Sequence, residues 1–210
     1  TSAFPHILFE SCAGGCGRFD AGMHYYMPQA SASDNNDPIE RLTIQFGTTM
    51  CYPASSMGAH VSACDRTGIE TKAAVAMAGT FGYELDPKEM SEEDKENVKE
   101  QVKNYHRYYN VIHFGDLYRI IAPTDDEFKC AWEYVAKDKS EALLTVVIKN
   151  RAPHDFLLIK MKGLDPEKMY RDETDGEIYS GALLMNAGIN LTDGTLSAGR
   201  SFIRYFTEVK

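Results

Sequence analysis

The chain has 210 residues, of which 31 are acidic and 22 are basic, and its formal net charge is −9 at pH 7. An acidic chain without a basic run argues against binding to the phosphate backbone of a nucleic acid. A content of 43% hydrophobic and 11% aromatic residues excludes a mainly disordered chain. No apolar stretch approaches the ~18 residues of a membrane span. We therefore expect one large or two small folded domains with neither nucleic acid nor membrane as a partner.

The number and spacing of the cysteines indicate the cellular compartment of the protein. The chain has five of them, an odd number with wide spacing: Cys12, Cys16, Cys51, Cys64 and Cys130. This pattern fits a reducing compartment better than a disulfide scaffold. The sequence also does not open with a charged segment followed by an apolar one, the pattern of a secretory signal. Both observations predict a cytoplasmic protein.

Four short apolar runs, separated by Gly-rich and polar loops, follow one another in the first part of the chain. They are Pro5–Ser11, His24–Ser33, Thr49–Ala54 and Ala73–Phe81. Their spacing is typical of strands that alternate with helices, so we expect parallel strands that close into a barrel. A helix is predicted to begin at Pro38, with Ile39, Leu42 and Phe46 on its apolar face.

A second helix is predicted from about Ser91 to Tyr109. Ser91 is a suitable N-cap, and three acidic residues follow it at the positive end of the helix dipole. One apolar stripe recurs at helical spacing, and we expect it to pack as a structural cover. The stripe consists of Val98, Val102, Tyr105 and Tyr109.

After His113 the hydrophobic period becomes two, which predicts antiparallel strands. The strand candidates are Cys130–Val135, Leu143–Ile148, Phe156–Met161 and Ser201–Val209. Asp175-Gly176 and Asp193-Gly194 are dipeptides typical of hairpin turns. The sequence therefore divides into an α/β part, residues 1–112, and an antiparallel β domain, residues 113–210.

The Gly-rich segment from Cys12 to Gly17 is the first candidate for a functional site. Glycines let backbone N–H groups approach ligand oxygens closely. The segment lacks the Gly-Lys-Ser/Thr ending of a Walker loop, the spacing of a dinucleotide fingerprint and the third cysteine of an iron–sulfur loop. From the residues alone, a structural turn and a ligand-contacting loop are both open interpretations.

The acidic residues Asp34, Asp37 and Glu40 form the second candidate. Asp37 precedes Pro38, and Glu40 follows three residues later, which predicts a capping box at the start of the helix. Capping leaves Asp34 without a structural explanation, and general acids are found at strand ends on the loop face of a barrel. The histidines show no metal-ligand spacing, and we interpret His60 as a loop residue. We expect no metal site.

Five segments carry a family pattern, in order Pro5–Asp20, Gly22–Gln29, Ser33–Leu42, Tyr52–Ser62 and Met77–Leu85. In order and spacing they resemble the α-galactosidases of glycoside hydrolase family 36, the melibiose- and raffinose-cleaving enzymes. The resemblance is close over about residues 4 to 121. Two later segments, Lys162–Pro166 and Leu184–Gly188, are similar more weakly.

The resemblance implies a specific architecture. The family has an N-terminal β-sandwich, a (β/α)8 barrel and a C-terminal β domain. By this resemblance, residues 1–112 are the C-terminal half of the barrel, with strands five to eight and the last helix. Residues 113–210 are the C-terminal antiparallel β domain.

The resemblance also implies roles for single residues. Retaining glycosidases use two carboxylates, one as nucleophile and one as acid/base. Asp34 matches the acid/base in the Ser-Asp-Asn-x-Asp motif, and Cys12, Gly14 and Gly15 match positions of the substrate-binding loop. The family nucleophile lies in a Lys-Trp-Asp-x-Asn signature that is absent here, since the only tryptophan is Trp132. No cofactor or metal is implied.

Two positions depart from the family pattern. Ser31 stands where the family usually has Trp, and Cys16 stands where Gly is usual. The loss of an aromatic face removes a stacking surface for a sugar.

We expect the C-terminal portion of a retaining α-galactosidase that is inactive alone and takes a galactoside substrate. The alternative is a non-catalytic carbohydrate-associated module, or one half of a two-chain enzyme. The expected partner is a second copy of the chain, giving a homo-oligomer, or the missing N-terminal half.

Overall fold

The computed structural model describes residues 2–12, 14, 17–64, 66–151, 156–194 and 196–209. The chain divides into two compact units, Thr1–Val102 and Lys103–Lys210. Among the described residues, no helix is both long enough and apolar enough to cross a membrane.

The first unit is built on a four-stranded parallel sheet with the order β1-β2-β3-β4. The strands are β1 (Glu10–Ser11), β2 (Gln29–Ser31), β3 (Met57–Ser62) and β4 (Thr80–Glu84). The helices are α1 (Ala21–Tyr26), α2 (Pro38–Thr48), α3 (Ile69–Ala76) and α4 (Glu92–Phe114), with a 3-10 turn at Ala54–Ser56. The predicted α/β class and the four parallel strands are therefore confirmed. Helix α4 extends into the second unit.

Several predicted strand positions in this unit are wrong. His24–Tyr26 lie in helix α1, which begins where the Asp20 side chain accepts a hydrogen bond from Met23 N at 2.8 Å. Thr49–Ala54 form the turns that follow α2, and the strand comes later, at Met57–Ser62. Ala73–Ala76 belong to helix α3. A short apolar run is compatible with a buried strand and with a buried helix, so the run alone does not distinguish them.

The two faces of the parallel sheet differ in polarity. Met57, Ala59 and Val61 of β3 are buried, and helix α3 packs on this strand. The alternate residues of β3 and β4 are small or polar: Gly58, His60, Ser62, Thr80, Gly82 and Glu84, paired in register across the two strands. The apolar residues Ala73–Ala78 are buried in helix α3 and directly after it. Strand alternation therefore leaves one face of the sheet polar.

The second unit contains a six-stranded antiparallel sheet and a two-stranded one, with orders β10-β9-β12-β7-β6-β5 and β11-β8. A short helix, α5 (Gly181–Asn186), follows β10. The prediction of antiparallel structure after residue 113 is confirmed, and Asp175-Gly176 forms the turn between β9 and β10, with Gly176 at φ +80°. The strands are β5 (Asp116–Ile121), β6 (Lys129–Val135), β7 (Glu141–Ile148), β8 (Leu158–Ile159), β9 (Met169–Asp172), β10 (Ile178–Ser180), β11 (Ile189–Asn190) and β12 (Ser201–Glu208).

The buried face of helix α4 differs from the predicted stripe. Tyr108, Val111 and Ile112 are buried, whereas Val102 and Tyr109 are 37% and 43% exposed. The Tyr108 ring lies 4.8 Å from the ring of Tyr205 on β12. The stripe prediction is therefore wrong for the second half of the helix, because the face that carries Tyr108 is the one that packs on the sheet of the second unit.

Glu133 is a carboxyl group inside the core of the second unit. It lies on β6 between Ala131 and Val135, which both belong to the hydrophobic core, and it is fully buried. Lys162 N donates a hydrogen bond to its Oε1 at 2.5 Å, and Oε2 has no partner among the described residues. Burial raises the pKa of Glu133 to about 8, and the backbone and charge of Lys162 offset only part of that effect.

We predict that Glu133 makes the second unit less stable as the pH rises from about 5 to about 8. In this window the folded state keeps a proton that the unfolded state has released, so folding loses on the order of 1 kcal/mol per pH unit. Glu133→Gln should flatten this dependence. The free energy of unfolding is measured at each pH by urea unfolding. Unfolding is followed by the fluorescence of Trp132, which is the only tryptophan and the neighbour of Glu133. The exposed-site variant Glu177→Gln is the control, and an unchanged slope in Glu133→Gln would contradict the prediction.

Candidate active site

The predicted site residues follow neighbouring parallel strands. Cys12 and Gly14 come directly after β1, and Asp34 comes shortly after β2, whose Ala30 is in register with Ser11. Because β1 and β2 are parallel, both loops leave the sheet on the same side, at the carboxyl ends of the strands. Gly15 lies outside the described residues, as does Cys16.

The loop after β1 is closed by a side chain. Arg18 Nη2 donates a hydrogen bond to the Cys12 carbonyl oxygen at 2.5 Å. Gly14 has φ +58°, in the left-handed region that favours glycine, and a Cβ there would meet open space. Cys12 is exposed. The loop therefore presents a glycine backbone and a thiol at the carboxyl end of β1.

Asp34 lies in a short loop in which side-chain oxygens before and after it accept hydrogen bonds from backbone N–H groups. Ser33 Oγ accepts a hydrogen bond from Asn35 N at 3.1 Å, and Asn35 Oδ1 accepts one from Asp37 N at 3.0 Å. Asp34 itself is exposed, and its carboxylate has no hydrogen-bond partner within the described part of the chain. The loop therefore holds its backbone by local bonds and leaves one carboxylate available to a ligand.

Asp37 caps helix α2, as predicted. Its Oδ1 accepts hydrogen bonds from Ile39 N at 2.9 Å and Glu40 N at 3.0 Å. Burial raises the pKa of this carboxyl, but the bonds from Glu40 N and Cys64 Sγ and the charge of Arg66 outweigh burial and lower the pKa. The reciprocal half of the predicted capping box is absent among the described contacts, because Glu40 pairs with Arg66 at 3.1 Å.

A buried arginine joins the Asp34 loop to the sheet. Arg41 is only 2% exposed, and its Nη1 and Nη2 donate to the carbonyl oxygens of Ser33 at 3.2 Å and Gly58 at 2.7 Å. Its Nε donates to Gln45 Oε1 at 3.1 Å, and Gln45 Nε2 donates to Val75 O at 2.9 Å. The loop after β2, strand β3 and helix α3 are therefore connected through one guanidinium and one amide.

This network corrects the predicted inner face of α2. The sequence indicated Ile39, Leu42 and Phe46, but the residues that are buried with Leu42 are Pro38, Arg41 and Gln45. Two polar side chains occupy buried positions because each one has its polar atoms paired with carbonyl or amide groups. A signal was present, since Arg41 and Gln45 are four residues apart and share one helix face.

A second cluster of polar side chains, formed by His60, Glu84 and Asn36, lies at the polar face of the sheet. His60 Nδ1 is 2.7 Å from Glu84 Oε1, and Asn36 Nδ2 donates to Glu84 Oε2 at 3.0 Å. The interpretation of His60 as a loop residue is wrong, because it lies within β3. The sequence analysis missed Glu84 and Asn36. The alternation of Gly58, His60 and Ser62 with the apolar Ala59 and Val61 was the available signal for a strand with a polar face.

The amino-acid sequence of the chain matches a known family. Residues 1–115 match the family model Melibiase, and residues 129–206 match that of the Glycosyl hydrolase family 36 C-terminal domain. The chain is 44% identical over its whole length to the bifunctional alpha-galactosidase/sucrose kinase AgaSK of Mediterraneibacter gnavus. Over 91% of its length it is 46% identical to the alpha-galactosidase AgaA of Geobacillus stearothermophilus. The chain therefore belongs to the melibiase family, glycoside hydrolase family 36.

Solved structures agree with this assignment. A crystal structure of an AgaA variant in complex with raffinose aligns with 99% of this chain at a TM-score of 0.94 and 41% identity. The chain spans about a quarter of the length of the curated relatives, 23% of AgaSK and 27% of AgaA. It covers 30% of the AgaA chain in the raffinose complex.

We predict that Asp37→Ala destabilises the first unit by about 1–2 kcal/mol, because two N-terminal amides of α2 lose their acceptor. Asp37→Asn should lose less, since asparagine also caps helices. The pKa of Asp37 is lowered, so its contribution is present above its ordinary value of 3.8 and is lost as the pH falls through the folded-state pKa. Urea unfolding followed by circular dichroism, at neutral and strongly acidic pH, tests both statements. An Asp37→Ala variant as stable as the parent at neutral pH would refute the capping role.

Proposed function

We propose that this chain supplies the acid/base part of a retaining α-galactosidase, with Asp34 as the acid/base. The observation that carries the proposal is the exposed Asp34 carboxylate, which has no hydrogen-bond partner among the described residues. It lies in the loop after β2, within the segment that matches the Melibiase family. Its relatives are alpha-galactosidases, and the variant of AgaA binds raffinose. The substrate class that follows is an oligosaccharide with a terminal α-linked galactose.

The proposed architecture is the C-terminal half of a (β/α)8 barrel, residues 1–112, followed by an antiparallel β domain, residues 113–210. The strand order β1-β2-β3-β4 with all pairs parallel supports the barrel, since consecutive barrel strands are neighbours. Within this sheet β1 and β4 are edge strands. Open edges favour pairing with further strands, so the proposed partner is the N-terminal half of the barrel or a second copy of this chain.

The proposed mechanism gives Asp34 two roles. As the acid it donates its proton to the glycosidic oxygen while a carboxylate outside these 210 residues attacks the anomeric carbon. As the base it then takes a proton from the water that hydrolyses the galactosyl-enzyme, so the configuration is retained. Cys12, Gly14 and Gly15 would line the galactose site from the neighbouring loop.

The proposed compartment is the cytoplasm. The four described cysteines, Cys12, Cys51, Cys64 and Cys130, carry free thiols. Free thiols are typical of proteins that work in a reducing environment.

We predict that the purified 210-residue chain alone does not hydrolyse 4-nitrophenyl α-galactoside. It carries Asp34 but lacks the Lys-Trp-Asp-x-Asn signature of the nucleophile. Loss of one member of a catalytic pair lowers the catalytic rate by several powers of ten. A chromogenic assay with Asp34→Ala as the background control tests this. Turnover by the parent chain that Asp34→Ala abolishes would show that the isolated chain carries a complete site.

The role of Asp34 is tested in a chimera of AgaA in which this chain replaces the matching segment. We expect Asp34→Ala to lower the turnover of raffinose roughly 10²–10⁴-fold, because the leaving sugar needs a proton. Cleavage of 4-nitrophenyl α-galactoside, which has a good leaving group, should be less affected in its first step. Azide should restore turnover and give the α-galactosyl azide, since an anion attacks the galactosyl-enzyme without a general base.

The stereochemistry of the azide product distinguishes the two possible carboxylate roles. A β-galactosyl azide would make Asp34 the nucleophile and overturn the assignment. Parental raffinose turnover in Asp34→Ala would remove Asp34 from the reaction. An inactive parental chimera that is folded by circular dichroism would favour the non-catalytic carbohydrate-associated module.

A further inference from the structure

The Asp34 loop is held at both of its ends by side chains from other strands and helices. The Ser33 carbonyl, before Asp34, is held by Arg41. The Asn36 side chain, after Asp34, is held by Glu84 at the end of β4. We propose that Glu84 is a positioning residue for Asp34 and acts through Asn36. This inference rests on the proposed function.

Arg41 makes the first end of the loop a fixed point. Its guanidinium is buried and also binds Gly58 O in the middle of the sheet, so Ser33 O is tied to strand β3. Ser31 Oγ donates to the same Ser33 oxygen at 3.1 Å. With two donors on one carbonyl, the backbone that enters Asp34 has little freedom.

Glu84 controls the second end. Its two oxygens are used separately: Oε1 contacts His60 Nδ1 at 2.7 Å, and Oε2 accepts from Asn36 Nδ2 at 3.0 Å. A carboxylate only accepts hydrogen bonds, so His60 Nδ1 is the donor and fixes the orientation of Glu84 from β3. Glu84 therefore connects a strand side chain to the loop 48 residues earlier in the chain.

Positioning matters because a general acid works only within hydrogen-bond reach of the leaving oxygen. A displacement of about 1 Å in an active site lowers the rate as much as roughly 10²-fold. Local turns order the Asp34 loop internally. Among the described contacts, Arg41 ties the loop to β3 and Glu84 ties it to the end of β4. Loss of the Glu84–Asn36 bond removes the described connection between β4 and the residues that follow Asp34.

The first test is hydrogen exchange of the 210-residue chain with Glu84→Ala, Asn36→Ala and the double variant. We expect the Asn35 and Asp37 amides to exchange about tenfold faster in each single variant. The β3 amides should be unchanged. Because both single variants remove the same bond, the double variant should exchange no faster than either one.

Glu40→Ala is the matched control. Its side chain is 54% exposed and ion-paired with Arg66, and the Glu84 side chain is 53% exposed and ion-paired with His60. Glu40 has no described contact with residues 33–36, so its removal should leave the Asn35 amide unchanged. Equal acceleration by Glu40→Ala, or additive effects in the double variant, would overturn the role of Glu84.

The second test uses the AgaA chimera and the ratio of raffinose turnover to 4-nitrophenyl α-galactoside turnover. A displaced acid penalises the poor leaving group selectively, so we expect Glu84→Ala and Asn36→Ala each to lower this ratio about tenfold. A purely structural defect would lower both rates together. Glu84→Gln keeps one oxygen acceptor for Asn36 and should restore part of the ratio.

The two proposals fail in different ways. If Asp34→Ala leaves the ratio unchanged, the proposed function fails, whatever the exchange experiment gives. If Asp34→Ala lowers the ratio but Glu84→Ala and Asn36→Ala do not, the acid/base assignment stands and the positioning role of Glu84 is overturned.

Discussion

The buried guanidinium of Arg41 is the contact on which the rest of the first unit depends. One planar group binds the carbonyl before Asp34, the carbonyl of Gly58 inside β3 and the amide of Gln45. Burial lowers the pKa of Arg41, and the charge of Glu84 opposes that shift. A buried cation without its hydrogen bonds is strongly unfavourable, so the loop, the strand and the helix must adopt their positions together.

The polar face of the parallel sheet follows from the same arrangement. Apolar residues of β3 face helix α3, and the alternate positions carry His60, Gly58 and Ser62. The glycines leave room for neighbouring side chains: a Cβ on Gly58 would lie 3.3 Å from Glu10 Oε1, and one on Gly82 would lie 3.3 Å from the His60 ring. The sheet therefore carries polar and charged groups on one face, while its other face forms the core.

The second unit has its own constraint, a carboxyl group in an apolar core. Glu133 accepts one backbone hydrogen bond from Lys162, and its burial keeps it protonated near neutral pH. The adjacent Gly163 has φ +74°, and a Cβ there would lie 2.3 Å from the Tyr118 ring. The Lys162-Gly163 turn therefore approaches the sheet closely enough to satisfy one oxygen of Glu133.

The sequence by itself determined the order of the two parts, the capping of α2 by Asp37 and the antiparallel strands of the second part. These features depend on neighbouring residues or on a hydrophobic period of two, which are local properties. It also placed Asp34 in a family motif. Only the tertiary structure decided that Arg41 is buried and that Glu84 contacts Asn36. The physical reason is that each depends on partners distant in the chain: a charged residue is compatible with the interior only when folding brings carbonyls or carboxylates to it.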